Sequence, residues 1–295
     1  MKAYREIERR FQPLGRAAYW RSLWRALADQ DIWGSAAQLS FYLCFALFPA
    51  LLALLLFLGY FELHAIEAAI TRLLAASLPK ETIPLVIDNV RELASQPRGA
   101  VASISIVASF AILIRAIAVI GRLLDRASGE RDSRSILQRL FHHSLAVLLV
   151  GMIAIVCGAV VAIARVQFNR HAPELLSWWS ITRHGIVLIL YAVALSVAYA
   201  LAPGGARGWH WISPGPLLAA IAWGISGALL RLAASGLLDY HVLYGSVAAM
   251  ILLLVWIYLT SLSILVGAEI ETRIAAAVSV TAEGSPGAAI AAIGS

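Results

Sequence analysis

Three ionisable side chains stand inside long apolar stretches of this sequence. Arg115 and Arg231 lie within two such stretches, and Glu269 lies near the end of the last one. If these stretches cross a membrane, each charge costs about 2.5–3.5 kcal/mol on insertion scales and needs a compensating role. An arginine at that depth either binds an anionic group of a substrate or extends its guanidinium to the lipid headgroups. Both explanations fit Arg115 and Arg231.

The neighbours of Arg231 predict the direction in which it points. Gly224, Gly227 and Ser235 share its helical face at spacings of four and seven residues. Because a face of small residues lets another helix approach closely, we expect this face, with Arg231, to point into a helix bundle.

Glu269 and Arg273 are four residues apart. On a helix this spacing allows an ion pair near the end of the last apolar stretch. Coupling to a proton or a substrate is the alternative role for the two residues. We therefore class Glu269 and Arg273 as structural or coupling residues.

The first apolar stretch carries a polar face. Ser35, Gln38 and Tyr42 recur at steps of three and four residues, and Pro49 follows seven residues after Tyr42. Proline removes a backbone hydrogen bond, so the freed carbonyl takes a partner from a neighbouring helix, water or a ligand. A kink that serves packing alone is the alternative. We name Gln38 and Tyr42, with Arg115 and Arg231, as candidate substrate-binding residues, and Pro49 as a structural or coupling residue.

Enzyme motifs are missing from the sequence. It contains no P-loop, no Gly-rich dinucleotide turn, no HExxH, no CxxC and no GxSxG. Asp125, Glu130 and Asp132 share one segment, but five arginines lie among and around them. We therefore expect no catalysis, no metal site and no cofactor.

The composition shows what must position these residues. The chain is 61% hydrophobic and 14% charged, with a mean hydropathy of +0.81, which leaves too little polar surface for a soluble globule of this length. A helix needs about 20 apolar residues to cross a bilayer. Six stretches qualify: Trp33 to Tyr60, Ala100 to Leu123, Phe141 to Ala164, Ile181 to Leu201, Ile212 to Ser235 and Tyr244 to Ile270. The sequence predicts an all-α, polytopic bundle of six transmembrane helices.

The basic residues predict the orientation of this bundle. With both termini in the cytoplasm, 14 Lys and Arg side chains fall in inner segments and 7 in outer ones. Cytoplasmic segments near membrane ends are enriched in Lys and Arg, so we expect both the N-terminus and the C-terminus to be cytoplasmic.

Three segments flank or interrupt the membrane domain of residues 32–273. Residues 1–31 form a basic arm in which Trp20, Leu23, Trp24 and Leu27 recur at helical spacing, which predicts an interfacial helix that favours anionic inner-leaflet lipid. Residues 62–98 read as an external amphipathic helical insert broken by prolines. Residues 274–295 are predicted to be a disordered cytoplasmic tail.

Three groups of residues resemble a known family. They are Ala36-Ala37-Gln38-Leu39-Ser40-Phe41-Tyr42 with Pro49; Trp209 through Pro214-Gly215 to Trp223; and Tyr244-Gly245-Ser246 followed by Trp256 and Gly267-Ala268-Glu269. In order and spacing they are similar to the YihY/BrkB family of bacterial inner-membrane proteins, which once carried the name ribonuclease BN. The resemblance implies six spanning helices in the bacterial inner (plasma) membrane. Glu271 departs from it, because the family usually has asparagine there.

Two functions fit these observations. The first is a transporter or lipid-handling protein of the cell envelope, with membrane lipids as partners and an anionic or lipid-like substrate. The second is a noncatalytic membrane scaffold. Ribonuclease activity and nucleic-acid binding are not expected, because RNA hydrolysis needs exposed acids, bases or metal ligands that the loops scarcely supply.

Overall fold

The fold is built from helices throughout the part of the chain that the structure describes. The computed structural model describes residues 11, 17–29, 31–58, 99–129, 132–171, 176–204, 213–236 and 241–282. These ranges hold seven helices: α1 (Ala17–Asp29), α2 (Ile32–Leu58), α3 (Gly99–Ser128), α4 (Ile136–His171), α5 (Leu176–Leu201), α6 (Pro214–Gly236) and α7 (His241–Ala282).

Six of these helices, α2 to α7, contain a segment long and apolar enough to cross a membrane. The segments are Ile32–Ala53, Gly99–Ser128, Ile136–Val161, Thr182–Leu201, Pro214–Ala233 and Met250–Ala276. Each overlaps one of the six predicted stretches, which confirms the all-α bundle of six candidate spans. Helix α1 covers the predicted N-terminal helix, whereas the predicted external insert at 62–98 lies outside the described residues.

Local sequence signals set several helix ends. Before α4, the Ser135 amide donates to the Gln138 side chain (3.1 Å) and the Gln138 amide donates to the Ser135 hydroxyl (3.3 Å), a reciprocal capping box. Before α2, Asp31 accepts a hydrogen bond from the Gly34 amide at 3.2 Å. After α3, Gly129 takes a φ of 67°, the left-handed conformation that commonly ends a helix.

Helices α4 and α7 run furthest past the ends of their predicted apolar stretches. Helix α4 continues to His171 instead of ending near Ala164, and α7 continues to Ala282, well into the segment predicted to be disordered from residue 274. No glycine or proline interrupts either extension, and the second is rich in alanine, the residue with the highest helix propensity. The loss of apolar periodicity therefore does not mark the end of α7. Residues 283–295 lie outside the described part.

The chain divides into two compact units, which are described separately: residues 1–41 with 114–295, and residues 42–113. In the first unit α6 packs against α5 and α7, α4 packs against α5, and α1 lies on α7. Glycines permit the closest contacts. A Cβ on Gly267 would lie 2.5 Å from the Ala219 Cβ and 2.8 Å from the Gly215 carbonyl oxygen, so α6 and α7 nearly touch at their backbones.

Burial within the first unit is uneven. Its most buried residues gather in the second halves of α3 and α5, at the start of α6, and along residues 264–274 of α7; we call this region the capped end. Residues 148–160 of α4, 221–233 of α6 and 250–256 of α7 carry mostly exposed or half-exposed side chains; we call these three segments the exposed half. Apolar side chains are expected on the surface of helices that face hydrocarbon.

Candidate functional site

The turn after α5 is the first polar cluster of the capped end. The Gly204 amide donates to both carboxylate oxygens of Asp125, at 2.9 and 3.2 Å. Arg134 donates to the Leu201 carbonyl oxygen at 3.4 Å, and the His143 Nε2 lies 3.1 Å from the Ala202 carbonyl oxygen. The last carbonyl oxygens of a helix have no hydrogen-bond partners within the helix, so side chains from neighbouring segments provide those partners. Three neighbouring segments thereby hold one turn.

Asp132 also faces this turn. Its carboxylate accepts a hydrogen bond from the Arg134 amide (3.0 Å) and forms an ion pair with Arg139 (2.8 Å). A Cβ on Gly204 would lie 2.3 Å from the Asp132 carboxyl carbon, so only glycine fits here without a shift of the turn. The carboxylates of Asp125 and Asp132, candidates for an enzymatic site in the sequence, therefore serve as hydrogen-bond acceptors in a folded turn. Glu130 lies outside the described residues.

The second polar cluster joins the start of α6 to α7. Pro214 begins α6, and the Ser213 hydroxyl, just before it, donates to a carboxylate oxygen of Glu271. The Gly215 amide donates to the same oxygen at 3.3 Å. A carboxylate is stabilised at a helix N-terminus by the unpaired amides and the helix dipole. Glu271, where the sequence departs from the family pattern, thus caps α6.

Glu269 and Arg273 lie two residues to either side of Glu271 on α7. Their side chains form an ion pair at 2.7 Å, with the Glu269 side chain fully buried and that of Arg273 18% exposed. On the same helix, the Ile270 carbonyl oxygen accepts a hydrogen bond from the Tyr19 hydroxyl at 3.2 Å, which attaches α1 to α7. Burial raises the pKa of the Tyr19 phenol, so it remains a donor at physiological pH.

The polar face of α2 is divided between the two units. Gln38, in the first unit, is exposed, and its side-chain oxygen accepts a hydrogen bond from Arg122 at 3.3 Å. Tyr42 and Pro49, in the second unit, are half-buried. Helix α2 continues through Pro49 without a break in its helical assignment. The arginine that meets Gln38 is therefore Arg122, not one of the two candidate substrate-binding arginines.

Arg115 and Arg231 have exposed side chains. The expectation that Arg231 points into the bundle is wrong: a Cβ on Gly227, one turn away on its face, would have no neighbour within 4 Å, and only the more distant Gly224 approaches α5, through Leu188. Among the described residues, no carboxylate forms an ion pair with either arginine. The structure thus leaves both guanidinium groups accessible from the surface of the helices.

An aromatic cluster connects α5, α6 and α7 within their candidate spans. Tyr191 of α5 stacks on Trp223 of α6 with ring centroids 4.7 Å apart, and Trp256 of α7 lies 6.2 Å from Trp223. The Trp223 indole donates to Thr260 at 3.1 Å. Within the described ranges, the buried Tyr191 hydroxyl has no hydrogen-bond partner. Both tryptophans belong to the groups of residues that resemble the family, whereas the sequence analysis missed Tyr191, whose only signal is a polar aromatic residue in mid-span.

The family profile described as virulence factor BrkB matches residues 23–293. This chain belongs to the BrkB family.

Relatives of this BrkB-family chain carry different names. A Bacillus subtilis protein that carries the name ribonuclease-like protein YfkH is 25% identical over 242 residues, which cover 80% of this chain and 87% of that protein. A UPF0761 membrane protein of Delftia acidovorans is 28% identical over 246 residues, which cover 80% of this chain and 57% of that longer protein. A UPF0761 membrane protein of Stenotrophomonas maltophilia is 33% identical over 94 residues, 30% of this chain. No solved structure matches the chain.

Several of the residues that carry the BrkB resemblance make contacts between helices. Pro214-Gly215 and Gly267-Ala268-Glu269 meet at the capped end, where α6 and α7 touch. Trp223 and Trp256 lie together in the aromatic cluster. These residues of the second and third groups therefore hold helices together. In the part of the chain that the structure describes, no three His, Cys, Asp or Glu side chains gather into a group that could hold a metal ion.

Proposed function

We propose that this BrkB-family protein binds an anionic, lipid-like amphiphile in the bacterial inner membrane and moves it within the membrane. The observation that carries the proposal is Arg115, an exposed arginine inside the apolar stretch of a candidate spanning helix. Helix α3 runs from Gly99 to Ser128, and Arg115 lies eight residues, about 12 Å, before Leu123, where the predicted apolar stretch ends. At that depth a charge costs about 2.5–3.5 kcal/mol on insertion scales, which an anionic ligand would offset.

The accessibility of the arginines supports a lipid-like ligand. Arg115 and Arg231 are exposed on the described surface rather than enclosed by it. A ligand that reaches them through hydrocarbon needs an apolar part as well as an anionic one. An amphiphile in the bilayer meets both conditions, whereas a small hydrophilic anion does not.

We also propose that both termini are cytoplasmic and that the protein is not an enzyme. The two-to-one excess of basic residues in segments on one side supports the orientation. The use of Asp125 and Asp132 as acceptors within a turn supports a noncatalytic role.

Movement of a fluorescent phosphatidylglycerol across reconstituted vesicles tests the function. We expect the wild-type chain to expose inner-leaflet probe to an external quencher faster than protein-free vesicles do. Arg115→Gln should slow the reaction roughly 10- to 100-fold, because a hydrogen bond to a charged group contributes about 1.5–3 kcal/mol. Arg231→Gln should slow it in the same direction.

Arg126→Gln is the matched control. Arg126 is an exposed arginine of the same helix, near its end and away from mid-span. Its substitution should leave the rate unchanged. Equal rates for the wild type and protein-free vesicles, or equal slowing by Arg115→Gln and Arg126→Gln, would contradict the proposal.

A noncatalytic scaffold is the second candidate function. Helix α4 favours it, because Gly151 and Gly158 lie seven residues apart and a Cβ on either would have no neighbour within 4 Å. Such small residues suit close packing against another membrane helix. Cysteines placed at these two glycines should then form crosslinks to a partner chain in native membranes, whereas cysteine at exposed Met152 should not.

A further inference from the structure

An apolar groove lies between α1, the start of α2 and the later part of α7. Its volume is about 290 Å³. Its walls include Trp20, Trp24 and Leu27 of α1, Trp33 of α2, and Leu262 and Val266 of α7. Ligand pockets of drug-sized molecules span about 300–1,000 Å³, so this groove has room for part of one hydrocarbon chain.

The wall that α1 contributes is fixed to the bundle. Tyr19 and Leu23 are buried against Ile270 and Ile274 of α7. The Tyr19 hydroxyl donates to the Ile270 carbonyl oxygen, and the Tyr19 ring meets Trp20 edge to face at 5.8 Å. The groove is therefore part of the folded unit.

Three tryptophans form the open side of the groove. Trp20, Trp24 and Trp33 are 41%, 66% and 52% exposed. The candidate span of α2 begins at Ile32, and that of α7 ends at Ala276, six residues after Ile270, the last residue of the groove wall. The groove therefore lies near the ends of two spans, at the level where tryptophan is favoured at a membrane interface.

Positive charge lies on α1 next to the groove wall. Arg21 precedes Trp24 by three residues, a spacing that makes the two side chains neighbours on the helix surface, and Arg25 lies one turn after Arg21. Both side chains are exposed. An apolar channel with a basic edge is complementary to a molecule that has a hydrocarbon chain and an anionic headgroup.

We infer that the groove holds an acyl chain of an anionic phospholipid, with the lipid phosphate against Arg21 and Arg25. The inference does not rest on the proposed movement of a substrate, because none of its residues is Arg115 or Arg231. It assigns α1 a lipid-binding role that joins the N-terminal segment to α7.

Lipid-dependent thermal unfolding of the full chain in mild detergent tests this inference. The probes are dioleoylphosphatidylglycerol, dioleoylphosphatidylcholine and glycerol phosphate, each titrated separately. A ligand that binds only the folded state raises the midpoint, and the increase grows with the logarithm of ligand concentration over Kd. We expect phosphatidylglycerol to raise it most and phosphatidylcholine less. Glycerol phosphate, which lacks the chains, should have no effect.

Two variants distinguish the contribution of the acyl chain to binding from that of the lipid headgroup. Leu262→Trp fills the groove and should abolish the response to both lipids. Arg21→Gln with Arg25→Gln should weaken phosphatidylglycerol binding roughly fivefold for each arginine removed, to the level of phosphatidylcholine. Arg126→Gln, a basic residue outside the groove, is the matched control and should respond as the wild type does.

Several results would overturn the inference. Equal responses of the wild type to the two lipids would remove the role of the arginines, and a response to glycerol phosphate alone would assign the site to a free anion. Stabilisation that follows protein concentration instead of lipid would place a second copy in the groove. If Leu262→Trp does not fold, the double variant Arg21→Gln with Arg25→Gln still tests the inference. A double variant that prefers phosphatidylglycerol to phosphatidylcholine as strongly as the wild type does would contradict the inference.

Discussion

At the capped end, the side chains of Leu265 and Ala268 are fully buried, whereas in the exposed half Leu232 is 71% exposed and Leu229 is 60% exposed. The same helices, α6 and α7, pass through both regions. At the capped end they are joined by glycine contacts and by hydrogen bonds to Glu271. In the exposed half they present apolar side chains and Arg231 to their surroundings. The difference separates the residues that hold the fold from those available to a ligand.

The largest effect is expected where α6 and α7 come closest. Gly267→Val should destabilise the protein by about 3 kcal/mol or more, because its Cβ would lie 2.5 Å from the Ala219 Cβ and the backbones would have to separate. Unfolding in mixed micelles with increasing dodecyl sulfate measures the change.

Gly227→Ala, in the exposed half, is the control for Gly267→Val. A Cβ on Gly227 would meet nothing within 4 Å, so alanine should be neutral or stabilise by up to about 1 kcal/mol through helix propensity. Similar losses for both variants would show that the two regions are packed alike.

The cap on α6 is expected to have the next largest effect. Glu271→Ala removes the acceptor for the Ser213 hydroxyl and the Gly215 amide, so it should cost about 2 kcal/mol. Glu271→Gln keeps an acceptor oxygen and should cost less than half as much. The same unfolding measurement distinguishes them, and equal costs would indicate that the charge, not the hydrogen bonds, matters.

A smaller loss of stability is expected at the turn after α5. Asp125→Ala should cost about 1–2 kcal/mol, because the Gly204 amide loses its carboxylate partner. Hydrogen exchange at the amides of Ala202 and Gly204 should rise while exchange in α7 stays constant. An equal rise in both segments would show that the substitution loosens the whole bundle and not this one turn.

The smallest effect on stability is expected at Arg231. Because its side chain is exposed and has no carboxylate partner among the described residues, Arg231→Gln should change stability by no more than about 0.5 kcal/mol. A loss comparable to that of Glu271→Ala would mean that Arg231 belongs to the packed structure.

Hydropathy was sufficient to predict the six spans, because each helix must close its backbone hydrogen bonds within itself in hydrocarbon. It was not sufficient to place side chains. The periodicity around Arg231 predicted a buried face, but which face of α6 meets α5 depends on contacts such as Leu188 with Gly224. The capping role of Glu271 was also missed, because Ser213 lies 58 residues away in sequence. Such long-range pairs leave no local pattern.

We propose that the capped end holds the fold while Arg115 recognises an anionic amphiphile. Phosphatidylglycerol movement by equal amounts of folded Arg115→Gln and Glu271→Gln protein tests it most directly. We predict slow movement by Arg115→Gln and a wild-type rate for Glu271→Gln. The reverse order, or equal rates, would contradict the claim.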